Sequence, residues 1–87
     1  MRDTRWRYTP KHSNTMEVPK AGAKYRHYKG NEYVVVRLAK NEANEEAVVV
    51  YQDRVAPEKI WVRPLALFIE EVEVSGVKVP RFEYIGE

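Results

Sequence analysis

The sequence predicts a small, mainly β domain: an SH3-like antiparallel barrel of five to six strands, with one short helical turn and a mobile N-terminal arm. Short runs rich in valine and aromatic residues alternate with loops rich in Gly, Pro, Asn and charge, which is typical of small barrels. The chain has 87 residues, enough for one domain and too few for two. The alternative architecture is an open meander of strands with the short helix packed across it.

The first twenty residues are predicted to form a flexible basic arm, and residues 21–87 the barrel domain. Residues 1–20 show no hydrophobic periodicity and are rich in Thr, Ser, Asn, Pro and charge. Basic residues outnumber acidic ones in the arm, the remainder is close to neutral, and the whole chain carries a net charge of +2. So weak a net charge does not by itself indicate a nucleic-acid partner.

Within the arm, two aromatic rings alternate with two guanidinium groups in the sequence RWRY, which comprises Arg5, Trp6, Arg7 and Tyr8. Rings and guanidinium planes stack on unpaired bases, so one hypothesis is that the arm binds RNA or single-stranded nucleic acid. The other is that Trp6 and Tyr8 dock on the protein's own surface or on a neighbouring copy. We favour the second, because one such cluster without a basic body is a weak nucleic-acid signal.

The middle of the chain predicts four strands joined by polar loops. Aromatic and β-branched residues are concentrated in these runs, as expected of strands. Gly30 and Asn31 both tolerate positive φ and are predicted to form the tight turn after the first strand. The four strands are predicted at residues 23–29, 32–40, 47–53 and 60–63.

A short helical segment follows the fourth strand. Pro64 suits the first turn of a helix, where its missing N–H costs nothing. Leu65, Phe68 and Ile69 then fall at helical spacing on one face. The segment 64–71 has room for only two turns, so we expect a short α or 3₁₀ helix.

A β-hairpin is predicted where Ser75-Gly76 separates the mirrored triplets at 72–74 and 77–79. A two-residue turn there places the valines on one face and pairs a glutamate with a lysine on the other. The apolar alternation then slips by one residue at Pro80, which cannot donate to a ladder, so a bulge or strand end is expected. The slip re-aims Arg81, which we expect to point toward a pocket.

The second strand carries apolar side chains on both of its faces. Val34, Val36 and Leu38 alternate with Tyr33 and Val35. A barrel needs only one apolar face, so something is expected to cover the other one. The candidates are the arm, the short helix or a second chain, and the last of these predicts a homodimer.

Four segments of the sequence together resemble a small bacterial family, the domain of unknown function 1653. They are YRHYKGNEYVVV, VVVYQ, WVRPLALF and VEVSGVKVPRFEYI, and the resemblance spans Ala21 to Ile85. It implies an SH3-like barrel and brings no established activity. The chain departs from the family pattern at Asn41, where a histidine is frequent.

The residue types in the strands favour a binding module that presents an aromatic and arginine surface to a peptide, a protein or an anionic small ligand. Surface aromatics form the peptide sites of SH3-like barrels, and arginine binds anions through paired hydrogen bonds. Against this, the aromatic bodies of the first strand can close a barrel rim, and the tryptophan can plug the core. The candidate ligand-binding residues are Tyr25, His27, Tyr51, Trp61, Arg63 and Arg81.

The sequence offers no cofactor motif and weak grounds for an enzyme. It contains no cysteine, which fits a cytoplasmic location. His12 and His27 have no partners at metal-ligand spacing, and no apolar run approaches the roughly 18 residues that span a bilayer, so neither a metal nor a membrane partner is expected. Acid–base chemistry by His27, with Arg63 or Arg81 holding an anion, is disfavoured because a chain this small is not expected to form a deep cavity.

Overall fold

A computed structural model describes residues 18–87 of the protein. This part of the chain forms seven strands and one short helix, which confirms that the fold is mainly β. The elements are β1 (Lys24–His27), β2 (Glu32–Lys40), β3 (Ala47–Asp53), β4 (Ile60–Pro64), α1 (Leu65–Phe68), β5 (Glu71–Val74), β6 (Val77–Pro80) and β7 (Phe82–Gly86). No helix among these residues is long and apolar enough to cross a membrane.

The main sheet is open rather than a closed barrel. Five antiparallel strands lie in the order β4-β3-β2-β1-β7, and β5 and β6 form a separate two-stranded hairpin. Within the described residues β4 and β7 are therefore the two edge strands of this sheet. The segment of chain that connects them forms α1 and the hairpin. This arrangement corresponds to the open meander with a helix across it, and the SH3-like barrel is not confirmed.

The core is a cluster of aromatic rings held between the sheet and α1. The rings of Phe68 and Phe82 stack with centroids 4.2 Å apart and planes 4° from parallel. Tyr25 and Tyr51 each pack an edge against Phe68, at 5.2 and 5.3 Å. Val49 is fully buried beneath them. Because Phe68 comes from the helix and the others from the sheet, this cluster fixes α1 on one face of the sheet.

An irregularity in β2 corrects the expected distribution of its apolar residues. Val35 lies opposite Tyr51 and Leu38 lies opposite Val49, with a register shift between them at Val36. The extra residue places Leu38 on the same face as Val35, where it packs against the core. The prediction that Leu38 shares a face with Val36 is therefore wrong, although Val36 itself remains exposed on the other face.

The turn between β1 and β2 begins earlier than expected. β1 ends at His27, and the loop runs from Tyr28 to Asn31. The Gly30 N–H donates to the His27 carbonyl, and the His27 N–H donates to the Asn31 carbonyl, both at 2.7 Å. Gly30 has φ +113°, a conformation that other residues rarely adopt. The expected two-residue turn at Gly30-Asn31 is thus a four-residue loop.

The C-terminal hairpin matches the sequence prediction. Val74 pairs with Val77 across a turn in which Ser75 and Gly76 have φ +51° and +79°, as a mirror-image turn requires. β6 ends at Pro80 and β7 begins two residues later, so the expected strand break is also confirmed.

Candidate functional site

The pleat of the sheet gathers several of the predicted residues on the face that also carries the core. Tyr51 lies opposite Trp61, and its same-face neighbour Val49 lies opposite Arg63. At the other side of the sheet, His27 lies opposite Phe82. Side chains two residues apart share a face, so β1, β3 and β4 all present their candidate residues on one side of the sheet.

Two of the predicted binding residues, Tyr25 and Tyr51, belong to the core. Both are buried, and their rings pack against Phe68. They support the site from beneath and do not form its surface. Trp61, by contrast, is 48% exposed, so it does not plug the core and is available to a ligand.

Arg63 crosses the core face and lies over the ring of Phe82, with its ζ carbon 5.7 Å from the ring centroid. Its Nε is buried and has no hydrogen-bond acceptor among residues 18–87. Leaving a buried donor of a charged group without an acceptor is costly, and nearly all such groups in proteins are paired. Within the described part of the chain, the Nε–H of Arg63 therefore lacks the acceptor that its burial calls for.

Arg81 is engaged by the protein itself. The strand break after Pro80 turns its side chain toward the end of α1, where Nε and Nη2 donate to Glu70 Oε2 at 3.0 and 2.6 Å. The Arg81 backbone N–H also donates to the Glu70 carbonyl, at 3.0 Å. Arg81 thus contributes positive charge near the site, while its hydrogen bonds to Glu70 fix its position.

His27 lies close enough to Arg63 and Arg81 for both charges to act on its imidazole. Its Nδ1 accepts a hydrogen bond from the Lys29 backbone N–H at 3.1 Å, which places the proton of the neutral ring on Nε2. Burial lowers the pKa of His27 below its usual value, and the charges of Arg81, Arg63 and Lys29 lower it further. We call His27, Arg63 and Arg81 the basic cluster.

Tyr33 completes the wall of the site and was missed by sequence reasoning. Its ring packs against Tyr51 in an edge-to-face arrangement, with the ring centroids 5.2 Å apart. Burial, followed by the proximity of Tyr51 and Asp53, raises the pKa of the Tyr33 hydroxyl, and Arg63 opposes this. The available signal was its position two residues before the buried Val35, on the same face of the strand.

On its other side His27 borders a cleft of about 390 Å³. The cleft separates the end of β1 from the β5–β6 hairpin. Its other lining residues are Arg26, Tyr28, Val74, Val79, Pro80 and Glu83. A small ligand or a peptide side chain can therefore approach the imidazole from this side.

The lowered pKa of His27 predicts a pH-dependent stability. Between the folded-state pKa and the usual value of 6.5, the unfolded chain binds more protons than the folded one. The contribution of His27 to the free energy of unfolding is therefore fully present above pH 6.5, and it is lost as the pH falls through the folded-state pKa. When the pH is lowered from 7.5 to 5.5, the free energy of unfolding measured with urea should fall less for His27→Gln than for the unmodified protein.

The matched control is His12→Gln, which changes the only other histidine. It should retain the full pH dependence of the unmodified protein. Glu32 and Asp53 also have lowered pKa values, through hydrogen bonds to Arg54 and to the Ala56 backbone respectively, but their effects begin at lower pH. Equal slopes for all three proteins between pH 7.5 and 5.5 would contradict the assignment to His27.

The family model described as "Protein of unknown function (DUF1653)" matches residues 23–84. The chain belongs to this family. The match runs from just before β1 into β7, so it includes the whole basic cluster. Comparison with curated proteins finds no match for the chain.

A DUF1653 protein from Bordetella bronchiseptica, known from a crystal structure, is similar to this chain. The two share 36% sequence identity, and the alignment covers 77% of this chain and 87% of the other. The TM-score of 0.67 shows a common fold. Family membership thus supports the fold described above and assigns no ligand.

The residues predicted for nucleic-acid contact lie outside the part of the chain that the structure describes. They are Arg5, Trp6, Arg7 and Tyr8. The nucleic-acid hypothesis for the arm therefore stays a prediction.

Proposed function

We propose that this DUF1653 protein is a binding module that recognises an oxyanion, a carboxylate or a phosphate, carried by a peptide or a small ligand. The observation that carries the proposal is the buried Nε of Arg63, which has no hydrogen-bond acceptor. An oxyanion supplies that acceptor, and a hydrogen bond between two charged groups is about twice as strong as a neutral one.

The surroundings of Arg63 favour an anion over a neutral acceptor. Arg63 and Arg81 both depress the pKa of His27, so their charges reinforce each other at the imidazole. A bound anion would offset this positive potential at the imidazole, which a neutral ligand cannot do. The Phe82 ring beneath the guanidinium holds its plane in place, which limits the entropy lost on binding.

Two further features supply contact area beyond the charge. Trp61 lies two residues before Arg63 on the same strand face and is about half exposed. On the far side, the cleft next to His27 is lined in part by Val74 and Val79. A ligand that places an anion on Arg63 can therefore also bury part of the Trp61 side chain, which is how such sites combine orientation with affinity.

The proposal is tested by following the titration of His27 by NMR in the full chain at low ionic strength. The probes are acetate, succinate and inorganic phosphate, with sodium chloride at matched ionic strength as the control. A bound oxyanion should raise the pKa of His27 back toward its usual value, because it offsets the charges of Arg63 and Arg81. His12 should be affected much less.

The order of the probes distinguishes the sources of the anion. Succinate or acetate binding more tightly than phosphate indicates a peptide or metabolite carboxylate, and the reverse order indicates a phosphorylated ligand. If none of the three moves the His27 titration beyond the chloride control, the proposed function is wrong.

The nucleic-acid hypothesis can be distinguished from this proposal by experiments on the same full-length protein. RNA binding through the arm should be lost in an Arg5→Ala, Arg7→Ala double variant and should fall steeply with salt. Anion binding at the basic cluster should be unchanged by that double variant.

A further inference from the structure

Edge strand β4 carries three consecutive apolar residues that are all exposed. Ile60, Trp61 and Val62 are 56%, 48% and 63% exposed. Natural sheet edges are usually protected by charged residues, bulges or covering segments, because an open edge can pair with another chain. The other edge strand, β7, carries Glu83 and ends at Gly86. Of the two edges, β4 is thus the one that exposes a continuous run of three large apolar residues, whereas Tyr84 is the one large exposed hydrophobic residue of β7.

The hydrogen-bond pattern leaves backbone groups of β4 directed away from the sheet. The Asp53 N–H donates to the Lys59 carbonyl at 2.9 Å, in the same register as the β3–β4 ladder. Antiparallel pairs alternate between bonded and non-bonded, so Ile60 and Val62 form non-bonded pairs with β3 and their N–H and C=O groups point outward. Pro64 occupies the next outward position, where its missing N–H breaks no ladder bond.

The charges around this edge favour an acidic partner over a second copy of the chain. β4 contains Arg63 and no acidic residue; Lys59 directly precedes it, and Glu58 lies one residue further from the strand. Two copies paired with Ile60 opposite Val62 would place Lys59 of each directly opposite Arg63 of the other. Like charges in that position are destabilising.

We infer that β4 is the docking edge for an extended, acidic segment of a partner protein, which adds to the sheet as an antiparallel strand. Backbone hydrogen bonds to Ile60 and Val62 supply affinity, as in other strand-addition complexes. The inference rests on the proposed function in one respect, because it makes Arg63 the residue that binds the carboxylate of the segment.

The register defines the sequence that fits. Arg63 forms a hydrogen-bonded pair with Val49 of β3. Its pair with the opposite residue of an added strand is therefore non-hydrogen-bonded, and side chains approach most closely in such pairs. An acidic residue opposite Arg63 therefore lies on the core face next to the Arg63 stem, and its carboxylate has to reach inward across β4 to meet the guanidinium over Phe82. Residues opposite Val62 and Ile60 lie on the outer face and should be β-branched. The preferred order is acidic, β-branched, any residue, β-branched.

The test uses a capped peptide of sequence TEVTVT with the ¹⁵N-labelled full-length chain, and amide hydrogen exchange as the readout. The amides of Ile60 and Val62 should become protected when the peptide is added. A peptide with lysine in place of the glutamate, TKVTVT, should bind at least about fivefold more weakly, because it places a cation beside Arg63.

A matched pair of variants separates backbone pairing from apolar contact. Val62→Pro removes one outward N–H and leaves the β3 ladder intact, since proline is tolerated on an edge. Val62→Thr retains that N–H and the β-branched shape. Val62→Pro should reduce peptide affinity about tenfold and Val62→Thr much less. If Val62→Pro does not fold, amide exchange in the unmodified chain decides the question.

The other outcomes overturn the inference in distinguishable ways. Peptide-induced shifts at His27 and Arg63, without protection of Ile60 and Val62, would retain the proposed function and reject strand addition. Protection of those two amides in the free protein would show that the edge is already covered, by a second copy if it depends on concentration and by the chain itself if it does not. No response to the peptide or to any small anion would reject both proposals.

Discussion

Replacing Phe68 with alanine should lower the free energy of unfolding by roughly 3–5 kcal/mol. Phe68 is 1% exposed, and its ring lies against three other aromatic residues of the core: it stacks on Phe82 and meets the edges of Tyr25 and Tyr51. Removal of the ring leaves a cavity that these neighbours cannot all collapse to fill. Urea denaturation followed by circular dichroism measures the change.

The loss is expected to be large because α1 has no independent stability. Its four residues are far short of the dozen or more that an isolated helix needs, so the helix depends on its packing against the sheet. Leu67→Ala is the matched control: it truncates a residue of the same helix that is 44% exposed, and it should cost less than about 1 kcal/mol. Equal losses for the two variants would show that Phe68 does not anchor the helix.

Arg63→Met should weaken oxyanion binding at least tenfold, or about 1.4 kcal/mol. Methionine preserves an unbranched apolar stem and removes the guanidinium, which lies over Phe82. The folded protein should not be destabilised appreciably, because the buried Nε has no partner to lose. The His27 pKa should rise, since one of the charges that lower it is gone. Calorimetric titration with succinate and phosphate measures the affinity.

Two control variants define what Arg63 contributes. Arg37→Met removes a charge from the exposed position opposite Val50 and should leave anion affinity unchanged within twofold at matched ionic strength. Arg63→Lys keeps the charge and removes the Nε–H, so its anion affinity should lie between those of the unmodified protein and Arg63→Met. Unchanged affinity in Arg63→Met would remove this residue from the site.

Local patterns determined most of the strands that the sequence correctly predicted. Ser75-Gly76 and the flanking valines specify both the turn and its register, because the signal is contained within eight residues. The bulge at Val36 was not predictable in this way, since valine is equally compatible with either face of a strand. Closure of the sheet was likewise not predictable, because pairing between its edges depends on where α1 and the hairpin pack.

The candidate site was partly predictable for the same reason. Residue chemistry identified His27, Arg63 and Trp61, which the structure places on one face of the sheet. It could not show that Glu70 would hold Arg81, because that ion pair depends on how the end of α1 packs beside the residue that follows Pro80. Nor could it separate buried tyrosines from exposed ones. The alternation of strand residues assigns a face, and only the packing of α1 decides which part of that face is covered.

The most direct test of the anion site is the ¹H–¹⁵N signal of the Arg63 Nε–H in the full-length protein. In the free protein this proton should exchange with water and lack the downfield shift of a strong hydrogen bond. Addition of succinate or phosphate should shift it downfield and slow its exchange, while the Nε–H of Arg37 stays unchanged. An Arg63 signal that is already protected without a ligand, and that none of these anions alters, would contradict the account.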